Sequence, residues 1–165
     1  MTGFATALDF VLAQEGGYVN DPHDNGGMTN LGVTRRAWEA WTGQQTTEAA
    51  MRGLTPAKVA PLYKERYWDA VCGDDLPPAL ALCVFDFAVN AGPGRAAKML
   101  QGVIGVVKDG AIGPATLAAV RKVPVADLIR RFSNARRDYY RALSDFPHFG
   151  RGWLRRCDRA ETEAL

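Results

Sequence analysis

The chain of 165 residues has little of what announces several large protein classes. Its three cysteines are odd in number. Cys72, Cys83 and Cys157 lack a C-x-x-C spacing and sit among apolar residues, which excludes a disulfide framework and fits small buried thiols of a reducing compartment. Histidine is scarce too. The DPHDNG run has only the outline of a calcium loop, because His23 stands where Asp or Asn is needed and Gly32 where the closing glutamate belongs. No metal is expected, His23 reads as an exposed turn residue, and His148 has no identifiable partner. Asp109-Gly110 and Gly113-Pro114 lack the Lys-Ser/Thr pair and preceding strand of a phosphate cradle, so no nucleotide or other cofactor is expected. The opening MTGFATALDF has no basic run and only a broken apolar one, so neither a signal peptide nor a membrane anchor is expected. There is no internal repeat, no linker longer than a turn, and no convincing strand beyond one hairpin.

What is present is ordinary globular material, 47% hydrophobic and 23% charged. The length suffices for one compact domain, or a lobe with a small subdomain. A net charge of only +2 hides an uneven distribution: residues 121–159 hold eleven basic residues against four acidic ones. That basic surface would favour an anionic partner, nucleic acid and an acidic cell-wall polymer being equally open on charge alone.

Helical signals dominate. Phe4, Leu8, Val11 and Leu12 recur at amphipathic spacing and stop at Gly16-Gly17. Thr34 caps RRAWEAW, with Gly43 closing it; Thr46 to Arg52 forms a short helix; Thr55-Pro56 starts another, which Pro61 should restart or kink. ALALCVFDFAVNAG, after Pro77-Pro78, is apolar on all sides and should be the central buried helix. Its Asp86 needs an arginine, a backbone donor or a cleft, since an unpaired buried carboxylate is costly. Asn90 either caps the chain or lines a cleft. A helix over Pro93 to Val103 follows, then a short one after Gly113-Pro114. A long one from Pro124 carries Arg130, Arg131, Arg136, Arg137 and Arg141 on what reads as a solvated face, and a last helix runs around Trp153 to Ala164.

The chemistry points to Glu15–Thr34. Glu15 falls at the last turn of the first helix, where the backbone dipole favours cations, so its carboxyl is suited to holding a proton. Tyr18 to Asn20 and Met28 to Val33 read as two short strands joined by a turn containing Asp21 and Asp24. A hairpin folding back from a helix end brings a second carboxylate near the first. Two carboxylates flanking one cleft are what glycoside hydrolysis needs, one donating to the leaving oxygen and one orienting water or stabilising the cationic sugar. Tyr63, Tyr67, Trp68 and Leu62 make an aromatic face in LYKERYWDA, and some of these rings could serve as sugar platforms, although an aromatic at helical spacing is more often core.

The run Glu15-Gly-Gly-Tyr18, Asn20-Asp21-Pro22, Asp24, Gly26-Gly27, Thr29-Asn30 and Gly32-Val33-Thr34 resembles the signature of glycoside hydrolase family 108, the phage-type N-acetylmuramidases of the lysozyme-like superfamily. Tyr67-Trp68, FDFAVNAG, Gln101 and DGAIGPAT resemble the predicted peptidoglycan-binding region that accompanies the family. The resemblance implies a mainly α, lysozyme-like α+β fold: a helical bundle around a buried central helix, with a small β-hairpin beside the catalytic cleft. It implies a catalytic region over 1–70 and a peptidoglycan-binding part over 71–165, packed as one globule. It further implies an endolysin cutting the β-1,4 bond between N-acetylmuramic acid and N-acetylglucosamine, with Glu15 as the catalytic glutamate. The wider phage lysozymes follow E-x8-D-x5-T; here Glu15 and Asp24 keep the first gap, whereas Asp24 to Thr29 is one residue short, which leaves Asp21 as an alternative second carboxylate. Expected substrate contacts are Tyr18, Asn20, Asn30, Tyr67 and Asn90. The implied partner is bacterial peptidoglycan, not nucleic acid, met as a monomer in the cell wall after release by a holin or other export helper. A lytic transglycosylase giving 1,6-anhydro products, and a wall-binding module without activity, are the rival readings.

Overall fold

Three threonines start three helices. In the computed structural model, which describes residues 3–23 and 27–165, Thr34, Thr47 and Thr55 accept hydrogen bonds from the amides of Ala37, Ala50 and Lys58. They open α2 (Arg35–Thr42), α3 (Glu48–Arg52) and α4 (Pro56–Tyr63). Each such cap stabilises its helix by about 1 kcal/mol, because it satisfies an amide that the first turn leaves without a partner. Pro56 occupies the first turn of α4, where a missing N–H costs nothing. Of the restart or kink expected at Pro61, the restart does not occur: α4 runs through the proline, which is exposed, and ends two residues later at Tyr63.

The chain divides into two compact units, Leu8–Glu65 and Met1–Ala7 with Arg66–Leu165. The first division falls inside α1 (Phe4–Gln14), the second inside a π-helical run, Lys64–Trp68. Within the smaller unit lies an antiparallel sheet ordered β1 (Val19–Asn20), β2 (Met28–Asn30) and β3 (Val33–Thr34). The expected hairpin is there, but its second strand does not run on to Val33. It turns at Leu31 and Gly32, with φ of 51° and 74°. Positive φ at both central residues marks the two-residue turn whose twist matches its strands, so a third strand returns beside the second. Pairing of Val19 with Thr29 and of Thr29 with Thr34 puts these three on one face. Met28, Asn30 and Val33 face the other way and are buried.

In the larger unit the all-apolar segment forms α5 (Pro78–Ala91), with every residue from Leu80 to Ala88 buried. It is packed by α6 (Pro93–Ile104), α8 (Val125–Arg141) and α9 (Phe146–Ala164). Edge-on rings fill the core. Phe4, Trp68 and Phe85 meet at centroid distances of 5.4 to 6.0 Å, and Phe87 meets Phe132 and Tyr140 at 6.0 and 6.1 Å. Such pairs add about 0.5–1.5 kcal/mol each beyond burial.

Asp86 is fully buried and takes the pairing expected of it. Arg156 Nε approaches its Oδ1 at 2.9 Å and Arg136 Nη1 its Oδ2 at 2.7 Å. The second contact is an ion pair by distance, without an aligned hydrogen bond. Arg136 therefore departs from the solvated arginine face expected for α8: it is 1% exposed, and its Nε also donates to Tyr140 Oη at 2.9 Å. Tyr140 in turn donates to Asn90 Oδ1 at 2.6 Å.

The last helix begins at Phe146, seven residues before the expected Trp153. Gly150 and Gly152, which precede the expected start at Trp153, are helical. A Cβ at Gly150 would lie 2.4 Å from the Phe146 ring, so the glycine is where that ring folds over its own helix. Between α6 and α7 (Pro114–Val120) the loop is pinned by Gln101, whose Nε2 donates to Asp109 Oδ1 (2.7 Å), Ala111 O (3.0 Å) and Thr116 Oγ1 (3.2 Å). Its Oε1 accepts from Gly110 N at 3.0 Å. Cys83 and Cys157 are buried and Cys72 half-buried, all three as free thiols. Among the described residues no helix is long and apolar enough to cross a membrane.

Candidate active site

Glu15 is the residue at which α1 ends. Its amide still donates to Val11 O and Leu12 O, at 3.2 and 3.3 Å, which fixes the backbone from which a half-buried side chain projects. The β2–β3 turn is tied to the same place, since Leu31 N donates to Gly16 O at 3.2 Å. On the other side Tyr63, 1% exposed, donates its hydroxyl to Leu31 O at 2.7 Å. The turn is thus gripped between a helix end and a buried tyrosine.

Gly32 is the point of closest approach. A Cβ built there would lie 2.6 Å from Tyr63 Oη, 2.9 Å from Glu15 Cγ and 3.0 Å from Glu15 Cδ. Two requirements coincide: φ of 74°, and no room for a side chain. The Glu15 carboxyl and the Tyr63 hydroxyl converge on one spot of bare backbone, so an acid sits against a preformed, sterically defined wall. A positioned carboxyl of this kind can protonate a leaving oxygen.

The other expected residues fall in different settings. Thr29 is half-buried in the centre of β2, on the face it shares with Val19 and Thr34. Asp24 lies outside the described residues. Asp21 accepts from His23 N at 2.9 Å, the local bond of a turn-forming aspartate. Tyr18 donates to Glu48 Oε1 at 3.0 Å, and the Arg52 guanidinium lies 4.1 Å above its ring. Arg52, then Tyr18, hold the Glu48 carboxyl below its usual range. Asn20 is exposed in β1, opposite Met28. Asn30 is buried, and its Nδ2 donates to Met51 O (2.9 Å) and Arg52 O (3.4 Å), tying β2 to the end of α3. Tyr67 and Asn90 belong to the larger unit, the first half-buried in the π-helical run and the second exposed near the end of α5. Among the described residues no His, Cys, Asp and Glu cluster could hold a metal ion. Tyr63 is buried as an aromatic of the core face should be, but the hydrogen bond of its hydroxyl to the turn is not foreseeable from the sequence.

The comparisons with known proteins bear on what this turn and acid belong to. Residues 8–92 match the family model described as Glycosyl hydrolase 108. The chain belongs to glycosyl hydrolase family 108. Residues 95–158 of this family 108 protein match a second model, Predicted Peptidoglycan domain. The solved structure of Brucella abortus SagA is similar, with 44% identity and a TM-score of 0.86 over 98% of this chain and 93% of that one. No curated protein matches. The expected mainly α fold with a small antiparallel sheet holds. This family 108 member is a glycosidase, and its peptidoglycan domain makes it a peptidoglycan hydrolase.

Proposed function

We propose that the protein is an N-acetylmuramidase that hydrolyses the β-1,4 bond between N-acetylmuramic acid and N-acetylglucosamine, with Glu15 as general acid. The observation that carries this reading is the convergence of the Glu15 side chain and the Tyr63 hydroxyl on Gly32. It supports a proton donor whose position is set by the backbone, which is what protonation of a glycosidic oxygen requires. Asp24, assisted by Thr29, is the proposed second group, holding water or supporting the oxocarbenium charge. Tyr18, Asn20, Tyr67 and Asn90 remain the proposed substrate contacts, whereas Asn30, buried and bonded to the end of α3, is proposed to position β2 and not to touch substrate.

The products decide the bond and the chemistry together. Mass analysis of fragments released from purified walls should find reducing muramic ends; 1,6-anhydro ends would identify a transglycosylase, and reducing glucosamine ends a different bond. Asp24→Asn should cost far more activity than Asp21→Asn, and the reverse order would transfer the second role to Asp21.

A further inference from the structure

The larger unit contains a groove that the candidate active site does not use. It has a volume of about 410 Å³ and lies between α6, α8 and the loop that follows α6. That size falls within the roughly 300–1,000 Å³ of small-ligand sites. Its floor is apolar, from Met99, Val103 and Ala135, while Arg95, Lys98 and Lys108 supply three cations and no lining residue is acidic.

The cations are placed by the fold. Lys108, on the loop, lies back across α6, its Cε 2.8 Å from where a Cβ of Gly102 would stand. Lys98, on α6, lies across the loop, its Cε 3.1 Å from the corresponding point at Gly110. Arg95 donates to Ala91 O at 3.3 Å and sits 5.1 Å over the Tyr139 ring. Among the described residues no carboxylate pairs with any of the three. The neighbouring Asp109 is already committed: it accepts from Ala111 N (2.9 Å) and from Gln101 (2.7 Å), which together hold its carboxyl below the usual range. The Gln101 network thus fixes the loop that carries Lys108. It keeps Asp109 ionised but holds that carboxylate against Gln101 and Ala111, and Asp109 does not line the groove, whose three cations stand around an apolar floor.

We propose that this groove binds the peptide stem of peptidoglycan through its free carboxylates. The argument is charge complementarity. The amide-linked glycan is neutral, so the negative charge of peptidoglycan resides on its stem, whose methyl and methylene groups suit the apolar floor. The proposal rests on peptidoglycan being the substrate but not on Glu15, because the groove binds and does not cleave.

The test uses the intact chain and soluble N-acetylglucosaminyl-N-acetylmuramyl-tetrapeptide, which lacks the bond the proposed activity cuts. Calorimetric titration should show that Lys98→Gln and Lys108→Gln each weaken binding about three- to tenfold, as expected for the loss of one solvent-exposed hydrogen bond. The two effects should compound, and added salt should shrink them. The same disaccharide with its lactyl carboxyl capped as a simple amide, and so neutral, should be insensitive to both substitutions. Equal binding by parent and double variant would overturn the proposal. So would an equal loss with the amide-capped disaccharide, or tighter binding of polyphosphate or anionic lipid vesicles than of the muropeptide. Failure here leaves wall lysis intact as a separate report on Glu15.

Discussion

Replacing Gly32 by alanine should disturb both the fold and the acid beside it. The backbone term comes from φ of 74°, which costs an L-residue roughly 1–2 kcal/mol. The steric term comes from a methyl 2.6 Å from Tyr63 Oη and 2.9 Å from Glu15 Cγ, where neighbours must move; overpacking of this kind costs about 1–3 kcal/mol. Together Gly32→Ala should lose roughly 2–5 kcal/mol in urea unfolding. Because Glu15 is one of the atoms pushed, turnover on purified walls should fall about tenfold or more, in line with the sensitivity of catalysis to sub-ångström displacement. A double-mutant cycle isolates the contact. Tyr63→Phe alone forfeits the 2.7 Å bond to Leu31 O, about 1 kcal/mol, but removes the closest clashing atom. In that background Gly32→Ala should therefore cost about 1 kcal/mol less than in the parent, a coupling within the range for residues in contact. A cost under about 0.5 kcal/mol for Gly32→Ala, with full activity and strict additivity with Tyr63→Phe, would refute this account of the turn.

Asp86→Ala should be among the most destabilising single changes. It removes the only carboxylate within ion-pair distance of the buried Arg136 among the described residues, and loss of one partner of a buried ion pair costs about 3–5 kcal/mol; a thermal melt within a degree of the parent would contradict it. The thiols should divide by burial. Burial pushes Cys83 up to about 12 and raises Cys157, and burial, then Asp75 and Asp69, raises Cys72 too. Because only Cys72 is part exposed, near pH 8 it alone should react with a thiol reagent in the native protein, more slowly than after unfolding, when all three should react; reaction of Cys83 at the unfolded rate would show that its site is open.

How much of this the sequence discloses depends on how local the cause is. The threonine caps and the Pro56 start are legible because donor and acceptor lie within one turn. The central helix is legible because no exposed segment could be apolar on every face. Asp86 announces that it needs a partner without naming it. The partner arginines lie on α8 and α9, 50 and 70 residues away, and Arg136 shares its stretch of α8 with exposed arginines. The β2–β3 turn is hidden because Leu31, not a second glycine, takes one of its positive φ values. The start of α9 is hidden because Gly150 is helical for the sake of the Phe146 ring. At the candidate site, the helix end that carries Glu15 is plain from Gly16-Gly17, whereas Tyr63 reaches the turn across 32 residues and leaves no periodic trace.

The central claim is that Glu15 donates the proton, and Glu15→Gln tests it most directly, since the amide keeps the shape of the side chain and removes the acid. With the native melting profile retained, release of soluble fragments from purified peptidoglycan should fall to background. Lysis by that variant at a rate near the parent's would contradict the account.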